Sequence, residues 1–196
     1  MIPILILAAG QSSRMGTRDK MLEDVDGVPL LRRQVRMASA AGEPVYVALH
    51  QKADSRHDTI ADLDVRILTV PQADEGMSGT MRGAVAQLPK APAFMILLGD
   101  LVALETSDLK AVLDARATHP AHVIWRGTTQ DGKPGHPIIF DASLRPDFAD
   151  LSGDGGGESL VKQLHDRTHL VPLPGNRARL DLDTPEDWAA WRASKV

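Results

Sequence analysis

No cysteine occurs in this 196-residue chain, which removes disulfides, thiolate catalysis and Cys-based metal sites together and fits a reducing compartment. A hydrophobic run of membrane-spanning length is also missing. The N-terminal apolar stretch is too short to span a bilayer, and it carries neither a basic leader nor a cleavage signature. No role in a membrane is expected, and the cytoplasm is the default location. Nor are basic residues in excess: a formal charge of −4 argues against a broad nucleic-acid surface, so any phosphate recognition has to be local. Long linkers, repeats and low-complexity tracts are absent too. The length suits one domain, residues 1–196, large enough to bury a sizeable core.

What the chain does contain is concentrated first in Leu5–Lys20, LILAAGQSSRMGTRDK. Ile2, Ile4, Leu5, Ile6 and Leu7 have the length and branching of a strand covered on both faces. Gly10 and Gly16 let the backbone turn tightly and approach a ligand, while Arg14, Arg18 and Lys20 supply positive charge. This is a phosphate-binding loop, but not a Walker loop or a dinucleotide fingerprint. Ser12, Ser13 and Arg14 stand where the later glycines of G-x-G-x-x-G belong, and no G-K-[ST] follows.

Strand-like runs recur at Ile2–Ala9, Val45–Leu49, Val65–Val70, Phe94–Leu98 and His122–Trp125, with helical patterns between them. The alternation predicts an α/β fold, a mostly parallel central sheet with covering helices. Helices are expected from Pro29 until Gly42, from Ser78 to Pro89, and from Thr106 or Ser107 through Leu113. Arg32, Arg33 and Arg36 then form a solvated face. Gly132–Pro137 reads as an exposed loop and Ile138–Phe140 as a strand. Gly153–Gly157 reads as a mobile turn before a helix with Leu160, Val161 and Leu164, and Thr184-Pro185-Glu186 opens the last helix. Ligands of open α/β sheets bind beyond the carboxyl ends of the strands. Gly10–Lys20, Glu75–Arg82 and Gly99–Leu101 should therefore share one rim.

Asp100, delivered to that rim by the strand FMILLGD, is placed to meet a phosphate-bound cation or to cap a turn. Asp183, in LDLDTPED, is equally suited to ligate a metal or to cap the helix that follows. Gly76, Ser78, Gly79 and Thr80 open a helix whose NH groups and hydroxyls suit a ribose, base or phosphate, with N-capping by Ser78 compatible. His136, held between prolines in KPGHP, suits substrate contact. His165 and His169 have i, i+4 spacing but no acidic partner pattern, which argues against zinc.

LAAGQSSRMG with Lys20, GMSGTMRGAV, LLGD, GKPGHPIIF and LDLDTPEDW together resemble the molybdenum cofactor nucleotidyltransferases over nearly the whole chain. Ala9 in LAAG, Gly76-Met77-Ser78 and the PGHP of residues 134–137 are most similar to the cytidylyltransferase branch. The resemblance implies a Rossmann-like nucleotidyltransferase fold with helices on both faces of the sheet. It implies transfer of CMP from CTP to the terminal phosphate of a pterin-phosphate acceptor, with onward delivery to a molybdoenzyme or its chaperone. By the same resemblance Arg14, Lys20 and Asp100 are catalytic, and Asp100 with Asp183 holds Mg²⁺. Leu7, Ala8, Ala9, Gly10, Gly16, Gly76, Ser78 and Asp100 bind nucleotide, and Gly135, His136 and Pro137 face the acceptor. Two positions depart from the family. Gly99-Asp100-Leu101-Val102 stands where the family commonly has G-D-x-P, keeping Asp100 but not the proline, and Glu158 stands where a G-D-x-G-A-R loop has a basic residue. These departures keep two alternatives in view: guanylyl or other transfer to a different small phosphate such as a sugar phosphate, and a non-catalytic relative that binds nucleotide or cofactor.

Overall fold

The structure is a computed structural model and describes residues 1–153 and 155–194. Seven strands form one sheet: β1 (Ile4–Leu7), β4 (Val45–Leu49), β5 (Arg66–Thr69), β6 (Ala93–Leu98), β7 (Ile124–Thr128), β8 (Pro134–Asp141) and β9 (Thr168–Pro172), in the order β5-β4-β1-β6-β8-β7-β9. Only β8 runs against the others, pairing antiparallel with both β6 and β7. A small hairpin, β2 (Asp24–Val25) with β3 (Val28–Pro29), lies outside the sheet. The helices are α1 (Leu30–Ser39), α2 (Asp54–Ile60), α3 (Met77–Gln87), α4 (Thr106–Thr118), α5 (Glu158–Gln163) and α6 (Pro185–Ala193).

Both sheet faces are covered because alternate strand residues are all apolar. From β1, Ile4 and Ile6 join Leu31 and Val35 of α1 and Leu109 and Val112 of α4. Leu5 and Leu7 point the other way, to Met81, Ala84 and Val85 of α3 and Leu160 and Val161 of α5. A third cluster joins Met15, Val25, Leu30, Val102, Leu182 and Trp188, packing the first loop, the hairpin and α6 together. The chain leaves β1 towards β4 on one side and returns to β6 on the other. The switch in strand order therefore falls beside β1, where the loops after β1 and β6 open the rim.

Three elements differ from the sequence reading. Residues 134–137 are strand rather than loop, since β8 begins at Pro134. Its partners on β6 start only at Ile138, so the prolines fall where the strand is paired on one side alone, a position that tolerates the missing NH. Helix α2 and strand β9 carry too little apolar periodicity to announce themselves. Of the turn expected at residues 153–157, Asp154 lies outside the described residues.

Candidate active site

Beyond β1 the chain bends through Ser12, which takes the left-handed conformation (φ 52°), and Gly16 (φ 67°). Gly10 takes no positive φ, and a side-chain carbon there would meet nothing within 4 Å, so its value is open space rather than turning. Leu7, Ala8 and Ala9 are buried. Leu7, Ala9, Gly10 and Gly76 line one side of a cavity of about 450 Å³, closed by Gln11, Ala73–Met77 and Thr80.

At the mouth of this rim, Lys20 Nζ lies 2.6 Å from Asp100 Oδ2 and 2.8 Å from Asp183 Oδ1. Arg14 Nη1 reaches the other oxygen of Asp183 at 2.7 Å. Four residues between 14 and 183 thus converge on one spot. Burial works against the charge on Lys20, but the two carboxylates outweigh it and hold its pKa above the ordinary lysine value. Asp181 stands close enough that burial, then Asp100 and Asp183, push its carboxyl upward. Asp183 is not the cap of α6: Thr184 caps the helix by accepting from Asp187 NH, Asp187 answers from its side chain, and the Asp183 carboxylate pairs with Lys20 and Arg14 instead.

The turn carrying Asp100 has Val102 where the resemblance leads to the expectation of a proline. Leu101 and Val102 are buried in separate clusters, Leu101 bridges Asp181, and Gln34 Nε2 donates to the Leu101 carbonyl at 2.8 Å. Packing fixes what a pyrrolidine ring fixes elsewhere.

Two expected site residues are placed differently. The Ser78 side chain is buried and committed, donating to the Ser152 carbonyl at 3.1 Å and accepting from Gly156 NH at 3.1 Å. It ties the glycine-rich loop to α3, so its hydroxyl is not presented to a ribose. His136 is likewise not on an exposed loop. It sits in β8, half-buried in the wall of a cavity, with Nδ1–H donating to the Ile96 carbonyl at 3.4 Å. Burial lowers its pKa to about 4. Gly135 is there for close approach: an added Cβ would lie 2.2 Å from the Ala178 carbonyl oxygen. Pro137 is buried beside them.

The model of the MobA-like NTP transferase domain matches residues 4–168. The chain belongs to the MobA-like NTP transferase family. A relative from Synechococcus elongatus, called probable molybdenum cofactor guanylyltransferase, is 37% identical over 97% of each chain. Rv0371c from Mycobacterium tuberculosis H37Rv superposes with a TM-score of 0.84 at 26% identity, covering 96% of this chain and 95% of that one. The same protein has also been solved in complex with manganese, with a TM-score of 0.82 at 25% identity over 98% of both chains. This MobA-like transferase is a nucleotidyltransferase on the Rossmann-like fold of its relatives. Its helices are none long and apolar enough to cross a membrane, among the described residues.

Sequence reasoning missed the residue that holds the first loop in place. Arg56 of α2 is buried, with Nη1 donating to the Ala8 carbonyl at 2.5 Å, Nε to Asp19 at 2.6 Å and Nη2 to Asp19 and Ser12. Its flanking segment QKADSRHDT is polar apart from Ala53. Only the pairing of an acidic Asp19 inside the loop with some distant arginine could have signalled it.

Proposed function

We propose that this MobA-like transferase moves a nucleoside monophosphate from a nucleoside triphosphate to the terminal phosphate of molybdenum cofactor, releasing pyrophosphate. The observation that supports it best is the meeting of Lys20, Arg14, Asp100 and Asp183 in one ion cluster, with Lys20 and Arg14 carried on the same loop as Gly10. Three of these sit on loops that follow different strands, the usual way an α/β sheet assembles a nucleotide site.

The residues fit a divalent cation. Asp100 Oδ1 is buried without a hydrogen-bond partner, and two carboxylates are already gathered around an ammonium that stands in for a cation. Asp100 and Asp183 would hold Mg²⁺, whose contribution when bound is to neutralise charge on the phosphate oxygens. The protein's own part is positioning. Lys20 and Arg14, released from the carboxylates, neutralise the β- and γ-phosphates and the leaving pyrophosphate. The Ala8–Gly10 backbone admits the base and ribose, and Gly76, with φ 87°, turns the chain into α3 beside them. An acceptor phosphate is already an anionic nucleophile, so no general base is needed.

For the base, the motifs LAAG, GMSGT and PGHP favour cytidine. The second reading, guanylyl transfer, is favoured by the name of the relative at 37% identity. Pyrophosphate release measured with molybdenum cofactor, Mg²⁺ and each of CTP, GTP, UTP and ATP separates them. CTP as the best substrate supports the first reading, GTP installs the second, and release with none of the four sinks the transferase proposal for this acceptor.

A further inference from the structure

A second cavity, of about 300 Å³, has Leu98 of β6 in its wall. It is lined by Met77, Met81, Ile138 and Phe140, by His136, and by two arginines, Arg126 and Arg179. Arg126 projects from the middle of β7 and is half-buried. Its Nε donates to the Gly135 carbonyl at 2.9 Å, and Arg179 Nη1 donates to the Pro134 carbonyl at 2.8 Å. Consecutive carbonyls of the PGHP motif thus hold both guanidiniums at one wall. Among the described residues neither has a carboxylate within ion-pair distance, unlike Arg14, Arg32, Arg56, Arg82, Arg177 and Arg192. Glu158 also lines the cavity, but its carboxylate is taken by Lys162 at 2.8 Å. Burial, then the like charge of Arg179, depresses the Arg126 pKa, with Glu158 opposing. Arg126, half-buried beside the like charge of the exposed Arg179 and with the Glu158 carboxylate paired to Lys162, is only weakly compensated until an anion joins it.

We infer that Arg126 and Arg179 form the anion-binding wall of the acceptor subsite and take the phosphate monoester of an acceptor whose apolar body lies against Met77, Met81, Ile138 and Phe140. This deepens the function proposed above and rests on it for the acceptor's identity. It also accounts for Glu158. The positive charge that the family places on the glycine-rich loop is delivered here from β7 and from the segment before Asp181, so the loop position is free to change sign. The cavity wall at Leu98 and His136 lies next to Asp100 along β6, which sets an anion held here beside the nucleotide cluster.

The test uses the full-length protein and two kinds of readout. Binding of phenyl phosphate, a simple aryl monoester, is titrated by calorimetry to the wild type, Arg126→Gln, Arg126→Lys and Arg179→Gln, alongside binding of Mg²⁺ with CTP and with GTP. The expected result is at least tenfold weaker phenyl phosphate binding in both Gln variants, with nucleotide affinity within twofold of wild type and partial recovery in Arg126→Lys. In turnover with molybdenum cofactor, acceptor KM rises at least tenfold while nucleotide KM stays put. Unchanged phenyl phosphate binding and acceptor KM in the well-folded Arg179→Gln protein would overturn the inference, even with turnover intact. Loss of monoester binding in a protein whose wild type never turns over molybdenum cofactor leaves the anion wall standing and removes the proposed acceptor instead.

Discussion

Lys20 shows how one side chain serves two states. Without nucleotide, its ammonium holds Asp100 and Asp183 side by side, 2.6 and 2.8 Å away, which keeps like charges together that would otherwise repel. Under the function proposed above, the same group would neutralise the leaving pyrophosphate. Lys20→Ala should lower kcat by about 10² to 10³, measured as pyrophosphate release, with a smaller change in nucleotide KM. Asp100→Asn should lower kcat by a similar order, and its activity should not recover when Mg²⁺ is raised to saturation. Activity close to wild type in either variant would favour a binding protein over a transferase. His136 makes a separate prediction about pH. Its folded pKa, about 4, lies below the ordinary value of 6.5, so the fold prefers the neutral ring. Stability from this preference is complete above pH 6.5 and is lost as pH falls towards 4, by up to about 3 kcal/mol. Urea unfolding at pH 7, 5.5 and 4 should show this loss in the wild type and much less of it in His136→Asn. Parallel pH dependence in the two proteins would remove His136 as the cause.

At the level of elements, the loop after β1 is held less by its glycines than by Arg56 from α2, which satisfies the Ala8 carbonyl and both oxygens of Asp19. Arg56→Ala leaves a buried carbonyl and a carboxylate without their partner, a change that costs about 3 to 5 kcal/mol. The expected outcome is a lowered melting temperature and a fall in kcat well beyond that of the neighbouring surface change Asp58→Ala. Full activity in a folded Arg56→Ala protein would show that the loop is held by other means. The same comparison explains which elements could be read in advance. Strands β1, β4 and β6 are continuous apolar runs, so burial on both faces leaves its mark in composition. Helix α2 packs only its end, through Ile60, and spends its remaining turns on one arginine, which leaves no periodic trace. Residues 134–137 look like a loop because proline and glycine dominate them. They are strand because β6 stops short of them and leaves the proline side unpaired.

At the level of the whole molecule, the site joins Arg14 to Asp183 across almost the full chain. The strand pattern put the loops of Lys20 and Asp100 on one rim and the resemblance paired Asp100 with Asp183, but the ion pairs that Lys20 and Arg14 make with these carboxylates were not legible, because they join segments distant along the chain. Asp183 is brought to Asp100 not by strand order, since β9 lies at the sheet edge, but by the bridge between Leu101 and Asp181 and by the third hydrophobic cluster. Trp188 of α6 is fully buried there against Met15, Val25, Leu30, Val102 and Leu182. Of these, Met15, Val102 and Leu182 lie within two residues of Arg14, Asp100 and Asp183, so the cluster sets the spacing of the ion cluster from behind. Trp188→Ala should therefore do two things at once. Loss of a fully buried tryptophan costs about 3 to 5 kcal/mol, seen as a lower urea midpoint. Slackened spacing should also raise nucleotide KM and lower kcat at a temperature where the variant is still folded by circular dichroism. Trp188→Phe, which keeps much of the volume, should recover most of both. A variant that loses stability yet keeps wild-type kinetics would mean that α6 braces the fold without setting the geometry of the site.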